Sequence, residues 1–119
     1  MNIEFKRSDV HGVPMLSVIG DLDIDTSGRL LMATDDVAAE GKNVLILDLQ
    51  ELNLLDSTGV TELVLVKKRF KRRGGNVYIA NASEVAQRVL GLLHLEETLD
   101  VLARPEDVIE LQAGRKSAT

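Results

Sequence analysis

No cysteine occurs among the 119 residues, which excludes disulfides, thiolate metal sites and cysteine nucleophiles. Tryptophan is absent as well, and the aromatic residues are one tyrosine and two phenylalanines. A core must therefore be built from Leu, Val, Ile and Ala, and the scarcity argues against stacking platforms for single-stranded nucleic acid. Basic charge is in deficit, with 14 Lys and Arg against 19 Asp and Glu. The resulting net charge of −5 repels a phosphate backbone unless cations are strongly segregated, so no direct nucleic-acid partner is expected. No apolar run approaches the ~18 residues of a membrane-spanning helix, and Met1 to Arg7 lacks the apolar stretch of a signal peptide. These absences lead to the expectation of a cytoplasmic protein without membrane insertion.

What is present suits one globular domain. Hydrophobic residues make up 45%, enough for a chain of this length to bury roughly two-thirds of its unfolded surface. Ile3-Glu4-Phe5-Lys6 alternates as a half-exposed strand does, Asp9 to Gly12 turns, and Val13 to Ile19 returns as the second strand of a hairpin. Asp25 or Thr26 is expected to cap a helix reaching about Glu40, although Gly28 weakens its first turn. Val44 to Leu49 is nearly continuous in apolar residues, as in a central strand covered on both faces.

A helix then runs from Ser57 or Thr58 to Arg73 and stops at Gly74-Gly75. Asn76 to Ala80 is another strand, and Ser83 caps a helix to about Leu92. Thr98 to Val101 suits a short edge strand, and Pro105 the first turn of a last helix, Glu106 to about Gln112. The domain is thus expected over residues 1–112, with 113–119 a disordered tail. The order β-β-α-β-α-β-α-(β)-α implies an α/β fold: a mixed four- to five-stranded sheet with helices packed mainly on one face.

The most informative stretch is Asp56-Ser57-Thr58-Gly59, a small hydroxyl at a helix start just after a buried strand. A helix N-terminus offers unpaired N–H groups and the positive end of the dipole. Ser57 is therefore either a plain N-cap contributing about 1 kcal/mol or a phosphate acceptor whose product the helix start stabilises. If Asp56 caps instead, the hydroxyl is left facing solvent. Gly59 removes bulk nearby and would let another protein's active site approach.

In this order of elements the chain resembles STAS domains, and more narrowly the bacterial anti-sigma factor antagonists. Gly20-Asp21-Leu22-Asp23 is similar to the family's Gly-Glu-Leu-Asp, and Asp56-Ser57-Thr58-Gly59-Val60 to its Asp-Ser-Ser/Thr-Gly-Leu. The resemblance covers roughly residues 3 to 111. It implies a binding module that is not an enzyme and needs no cofactor. In that family the motif's first serine, here Ser57, is phosphorylated by an anti-sigma factor that is itself a GHKL-type serine kinase. The unphosphorylated form binds the kinase and frees a sigma factor; a serine phosphatase resets the switch. Thr58 is the lesser acceptor. Asp21 and Asp23 correspond to an acidic edge near the kinase, and are equally suited to a turn and a helix start. Partner contacts are accordingly expected at Asp21, Asp23, Asp56, Ser57, Thr58, Gly59, Thr61 and Glu62, in a monomer or weak dimer.

Two departures from the family pattern bear on partner choice. Val60-Thr61 stands where Leu-Gly is common, placing Thr61 and Glu62 on the first helical turn, and His94 replaces a helix-terminating glycine. The competing reading is a constitutive STAS scaffold in a stress-signalling or lipid-transport complex, with Ser57 a mere cap. A small phosphate-handling enzyme fits less well, since no nucleophile, base and oxyanion set is visible. Asp48 near a strand end suggests a receiver-domain acceptor, but the acidic pair such domains need after their first strand is missing. His11 and His94 lack companions at metal-ligand spacing. The run Lys67 to Arg73, six basic residues in seven, reads first as a solvated face complementing the helix dipole, and otherwise as a dock for an acidic partner.

Overall fold

The computed structural model describes residues 2–117. Strands β1 (Ile3–Val10) and β2 (Val13–Leu22) form the expected antiparallel hairpin, with Ile3 opposite Gly20 and Val10 opposite Val13. Its two-residue turn, His11-Gly12, has φ of 50° and 86°, the positive values that match the twist of a tight hairpin. A 3₁₀ turn (Ile24–Thr26) leads into α1 (Arg29–Ala39). Then follow β3 (Val44–Asp48), β4 (Leu52–Leu55), α2 (Ser57–Arg72), β5 (Asn76–Ala80), α3 (Glu84–Leu92), β6 (Val101–Leu102) and α4 (Glu106–Ser117).

The sheet has six strands in the order β1-β2-β3-β5-β6, with β4 also paired to β2. All pairings beyond the hairpin are parallel. The extra strand is β4, in what the sequence suggested was only a connection. Met15 to Ser17 of β2 pair with β3, and Gly20 to Leu22 pair with β4, so one long strand serves two short ones in succession. The turn between them is closed by Asp48, whose carboxylate accepts from the Gln50 N–H at 3.0 Å. Because β4 ends beside Leu22, it delivers Ser57 to the end of β2.

Period-two alternation sorts the sheet's side chains between two cores. Leu16, Val18, Leu45, Leu47, Val77 and Ile79 face α1, α2 and α3, whose Leu30, Val37, Leu63, Val66, Phe70, Ala86 and Leu90 complete the larger cluster. Ile46, Tyr78 and Ala80 face the other way and meet Val108 of α4. Each Val, Leu, Ile or Phe side chain among them, fully buried, is worth about 1.5–3 kcal/mol. Helices therefore lie mainly, not wholly, on one face.

Three local expectations need correction. The helix after β2 is not capped by Asp25 or Thr26: Asp23 caps the 3₁₀ turn, and α1 begins separately after Gly28, at φ 90°. The last helix continues past Gln112 to Ser117, because Ala113 and the residues after it hold no helix breaker strong enough to stop it. Gln112 is anchored there by donating from Nε2 to the Tyr78 hydroxyl at 2.8 Å. The expected tail at 113–119 thus begins inside a helix, and residues 118–119 lie outside the described ones. Finally, the basic run is not one solvated face. Lys67 is buried, donating from Nζ to the Val77 carbonyl at 2.7 Å and to the Asp100 carboxylate, and so ties α2 to β5 and to the residue before β6. Burial holds the Lys67 ammonium below the usual lysine range. For Asp100 burial pushes upward, but the bonds from Lys67 and Asn76 hold the carboxyl below its ordinary value.

Candidate functional site

The Ser57 helix start is built on Asp56. That residue is extended, and its carboxylate accepts the Gly59 N–H at 2.9 Å through Oδ1, the standard N-cap bond. Its Oδ2 accepts the Ile24 N–H at 3.2 Å, and its own N–H donates to the Leu22 carbonyl at 3.2 Å. One residue therefore caps α2 and pins it to the loop leaving β2. With the cap taken by Asp56, Ser57 is exposed and its hydroxyl makes no hydrogen bond to any described residue. The first-turn N–H groups of Ser57 and Thr58 have no intrahelical carbonyl within reach, so the positive end of α2 opens beside that hydroxyl.

Gly59 is required for a reason other than access to Ser57. It is buried, and a Cβ there would lie 2.2 Å from the Leu22 carbonyl oxygen. Its missing side chain lets the first turn of α2 rest directly on the end of β2. Thr58 is half-buried, and Thr61 is exposed with its hydroxyl donating to the Ser57 carbonyl at 2.9 Å.

The acidic residues divide by environment. Asp21 is half-buried near the end of β2, opposite Leu54, just past the point where Asn53 bulges β4. Asp23 is only 7% exposed, and its carboxylate accepts from the N–H groups of Asp25 at 3.0 Å and Thr26 at 3.1 Å. The Thr26 hydroxyl answers by accepting the Asp23 N–H, which completes a capping box. The spacing Asp23-Ile24-Asp25-Thr26 carried that signal in the sequence.

Glu62 is displaced furthest from expectation. At 3% exposure it sits between α1 and α2, where Oε2 accepts the Leu31 N–H at 3.0 Å and Oε1 is buried without a partner. It points inward because Val60, Leu63 and Val66 turn that flank of α2 to the core. Asp56, Ser57, Thr58 and Thr61 thus gather at one helix start with Asp21 near, while Asp23, Gly59 and Glu62 support the site from inside. Sequence reading passed over Ile24, an apolar residue between two aspartates, which is 71% exposed next to Asp56.

Among the described residues no group of three acidic or histidine side chains could hold a metal ion, and no helix is long and apolar enough to cross a membrane. The fold and site define an α/β domain that presents a free serine at a helix N-terminus. Residues 4–108 match the family model for the STAS domain, and the chain belongs to that family.

Among its relatives is the anti-sigma-F factor antagonist RsfB of Mycobacterium tuberculosis, 27% identical over 109 residues, 91% of this chain and 88% of that protein. The anti-sigma-B factor antagonist of Bacillus subtilis is 24% identical over 110 residues, covering 92% of this chain and 98% of its own. In fold, the chain is similar to an anti-sigma factor antagonist from Mycobacterium paratuberculosis, with a TM-score of 0.79 at 23% identity over 92% of this chain and 93% of the other. It is also similar to the Bacillus cell fate determinant SpoIIAA in its phosphorylated form, with a TM-score of 0.65 at 15% identity over 91% and 99% of the two chains.

Proposed function

We propose that this protein is an anti-sigma factor antagonist, a cytoplasmic binding module controlled by phosphorylation of Ser57. The observation that carries the reading is the division of labour at α2: Asp56 caps the helix, so the exposed Ser57 hydroxyl has no structural duty. The names of the two curated relatives support the antagonist role. Unphosphorylated, the protein docks its Ser57 helix start on a GHKL-type anti-sigma kinase and releases the sigma factor. A phosphate at Ser57 adds about −1.5 to −2 charge units. It gains from the helix dipole but lies next to Asp56 and within a closely packed interface, where a charge without a counter-ion is costly and each ~1.4 kcal/mol weakens binding tenfold. The domain itself need not change shape. A serine phosphatase restores the binding form.

The test is calorimetric titration of wild-type and Ser57→Asp proteins with purified GHKL-type kinases from the native host, alongside phosphosite mapping after incubation with kinase and ATP. Loss of binding by about a hundredfold or more in Ser57→Asp, with phosphate on Ser57, is the expected result. Equal binding by both proteins, or phosphate at Thr58 alone, would reject the switch and favour a constitutive scaffold.

A further inference from the structure

Ile24, Met32 and Leu65 are 71%, 70% and 41% exposed, and all three lie on α2 or on the segment that packs along it, toward its Ser57 end. Single exposed apolar residues are commonplace; several converging on one candidate site are not. Ser57, Thr61 and Leu65 follow one another at intervals of four on the exposed face of α2. Helices α1 and α2 run in the same direction, since Leu31 bonds Glu62 and, further along both, Asp35 pairs with Arg69. Met32 lies one turn before Asp35 and Leu65 one turn before Arg69, so both sit on the Ser57 side of that ion pair. Ile24 completes the patch at the helix start, through its backbone bond to Asp56.

Ile24 is also held rigidly. Its N–H is taken by Asp56, its carbonyl accepts from the Ser27 N–H at 3.4 Å, and the Asp23–Thr26 capping box closes the turn around it. A backbone fixed in this way loses little further freedom when a partner covers the side chain it carries. Asp25 follows it in the chain and Asp56 bonds its N–H, so carboxylates border an apolar centre, as polar rims do in protein interfaces.

We propose that Ile24, backed by Met32 and Leu65, is the apolar anchor by which this protein selects its kinase, fitting an apolar socket ringed by Lys or Arg beside the kinase's serine-accepting site. This rests on the antagonist reading and names the contact that discriminates among kinases. The experiment titrates Ile24→Ser, Met32→Ser, Leu65→Ser, Ile24→Leu and Ser57→Asp proteins against the purified GHKL-type kinases of the native host. Thermal melting and sedimentation of each variant accompany the titrations.

Ile24→Ser should bind about tenfold or more weakly and Met32→Ser and Leu65→Ser less so, with melting unchanged, while Ile24→Leu should stay within about threefold of wild type. Wild-type affinity in Ile24→Ser, with binding lost in Ser57→Asp, overturns the anchor and leaves the switch standing. Weakened binding in Ile24→Ser together with full binding in Ser57→Asp removes the switch and keeps the apolar contact. Self-association lost in Ile24→Ser with kinase affinity intact shows the patch to be a dimer face and overturns the proposal. If no kinase binds the wild type, both readings fall.

Discussion

Helices α1 and α2 start side by side and run parallel, yet they solve the problem of their unpaired first-turn N–H groups in opposite ways. Helix α2 is capped by its own preceding residue, Asp56. Helix α1 is preceded by Gly28, which has no side chain to offer, and has no acidic residue in its first turn. Its N–H at Leu31, where an N-cap side chain would ordinarily bond, is taken by Glu62 from α2. One cap is local and the other borrowed. The borrowed one makes the packing of the two helices part of α1's own stability, and it leaves Oε1 of Glu62 buried without a partner. Asp56 reaches the same side through the Ile24 N–H. Two carboxylates of the α2 segment therefore hold the whole stretch from the 3₁₀ turn to the first turn of α1. The surface beside Ser57 is kept in place by α2 itself.

The largest effect expected from breaking this arrangement is at Glu62. Glu62→Ala strands the Leu31 N–H and removes the carboxylate that bonds the start of α1, for a loss of about 1–3 kcal/mol in chemical denaturation. Glu62→Gln keeps an acceptor but not the charge and should fall between Ala and wild type. No loss in Glu62→Ala would mean that the unpartnered Oε1 offsets the bond entirely. Asp56→Ala comes next, at about 1–2 kcal/mol for the lost cap, and should raise amide exchange at both Gly59 and Ile24. Protection unchanged at Ile24 would show that the bridge to the loop contributes nothing.

The two starts also differ in how far they could be read from the chain. Asp56 was legible as a possible cap because capping is a relation between residues three apart. Glu62 reads from the sequence as a surface residue but is buried, because its contact joins residues 31 apart and no local pattern announces it. Strand β4 was missed for a similar reason: its four residues become a strand only because β2 is long enough to pair beyond β3. Lys67 was counted with its basic neighbours, although its carbonyl and carboxylate partners come from β5 and the residue before β6. By contrast, the hairpin, the central strand and the stop at Gly74-Gly75 were set by local chemistry and stand where that chemistry puts them.

His94 falls between these cases. It was read as a departure from a glycine stop, and α3 does end in the glycine-type geometry: Leu95 N–H bonds the Leu90 carbonyl at 2.9 Å, His94 N–H bonds that of Gly91 at 3.1 Å, and His94 has φ 54°. The end of α2 closes in the same way through Gly74 and Gly75. His94→Gly should therefore stabilise the protein by about 0.5–1 kcal/mol, the left-handed strain relieved less the added freedom of the unfolded chain. A loss instead would show that the exposed imidazole makes up for the strain.

The smallest expected effect decides most about the site. If Asp56 alone caps α2, Ser57→Ala removes a hydroxyl that bonds no described residue, and stability should change by less than about 0.5 kcal/mol. If Ser57 were the cap, the cost would rise to about 1 kcal/mol, comparable with that of Asp56→Ala. Measured in one denaturation series, the two variants separate a residue kept for the helix from one kept for what it presents. A small change in Ser57→Ala beside a large one in Asp56→Ala leaves the hydroxyl without a structural reason to be there, as the proposed switch requires.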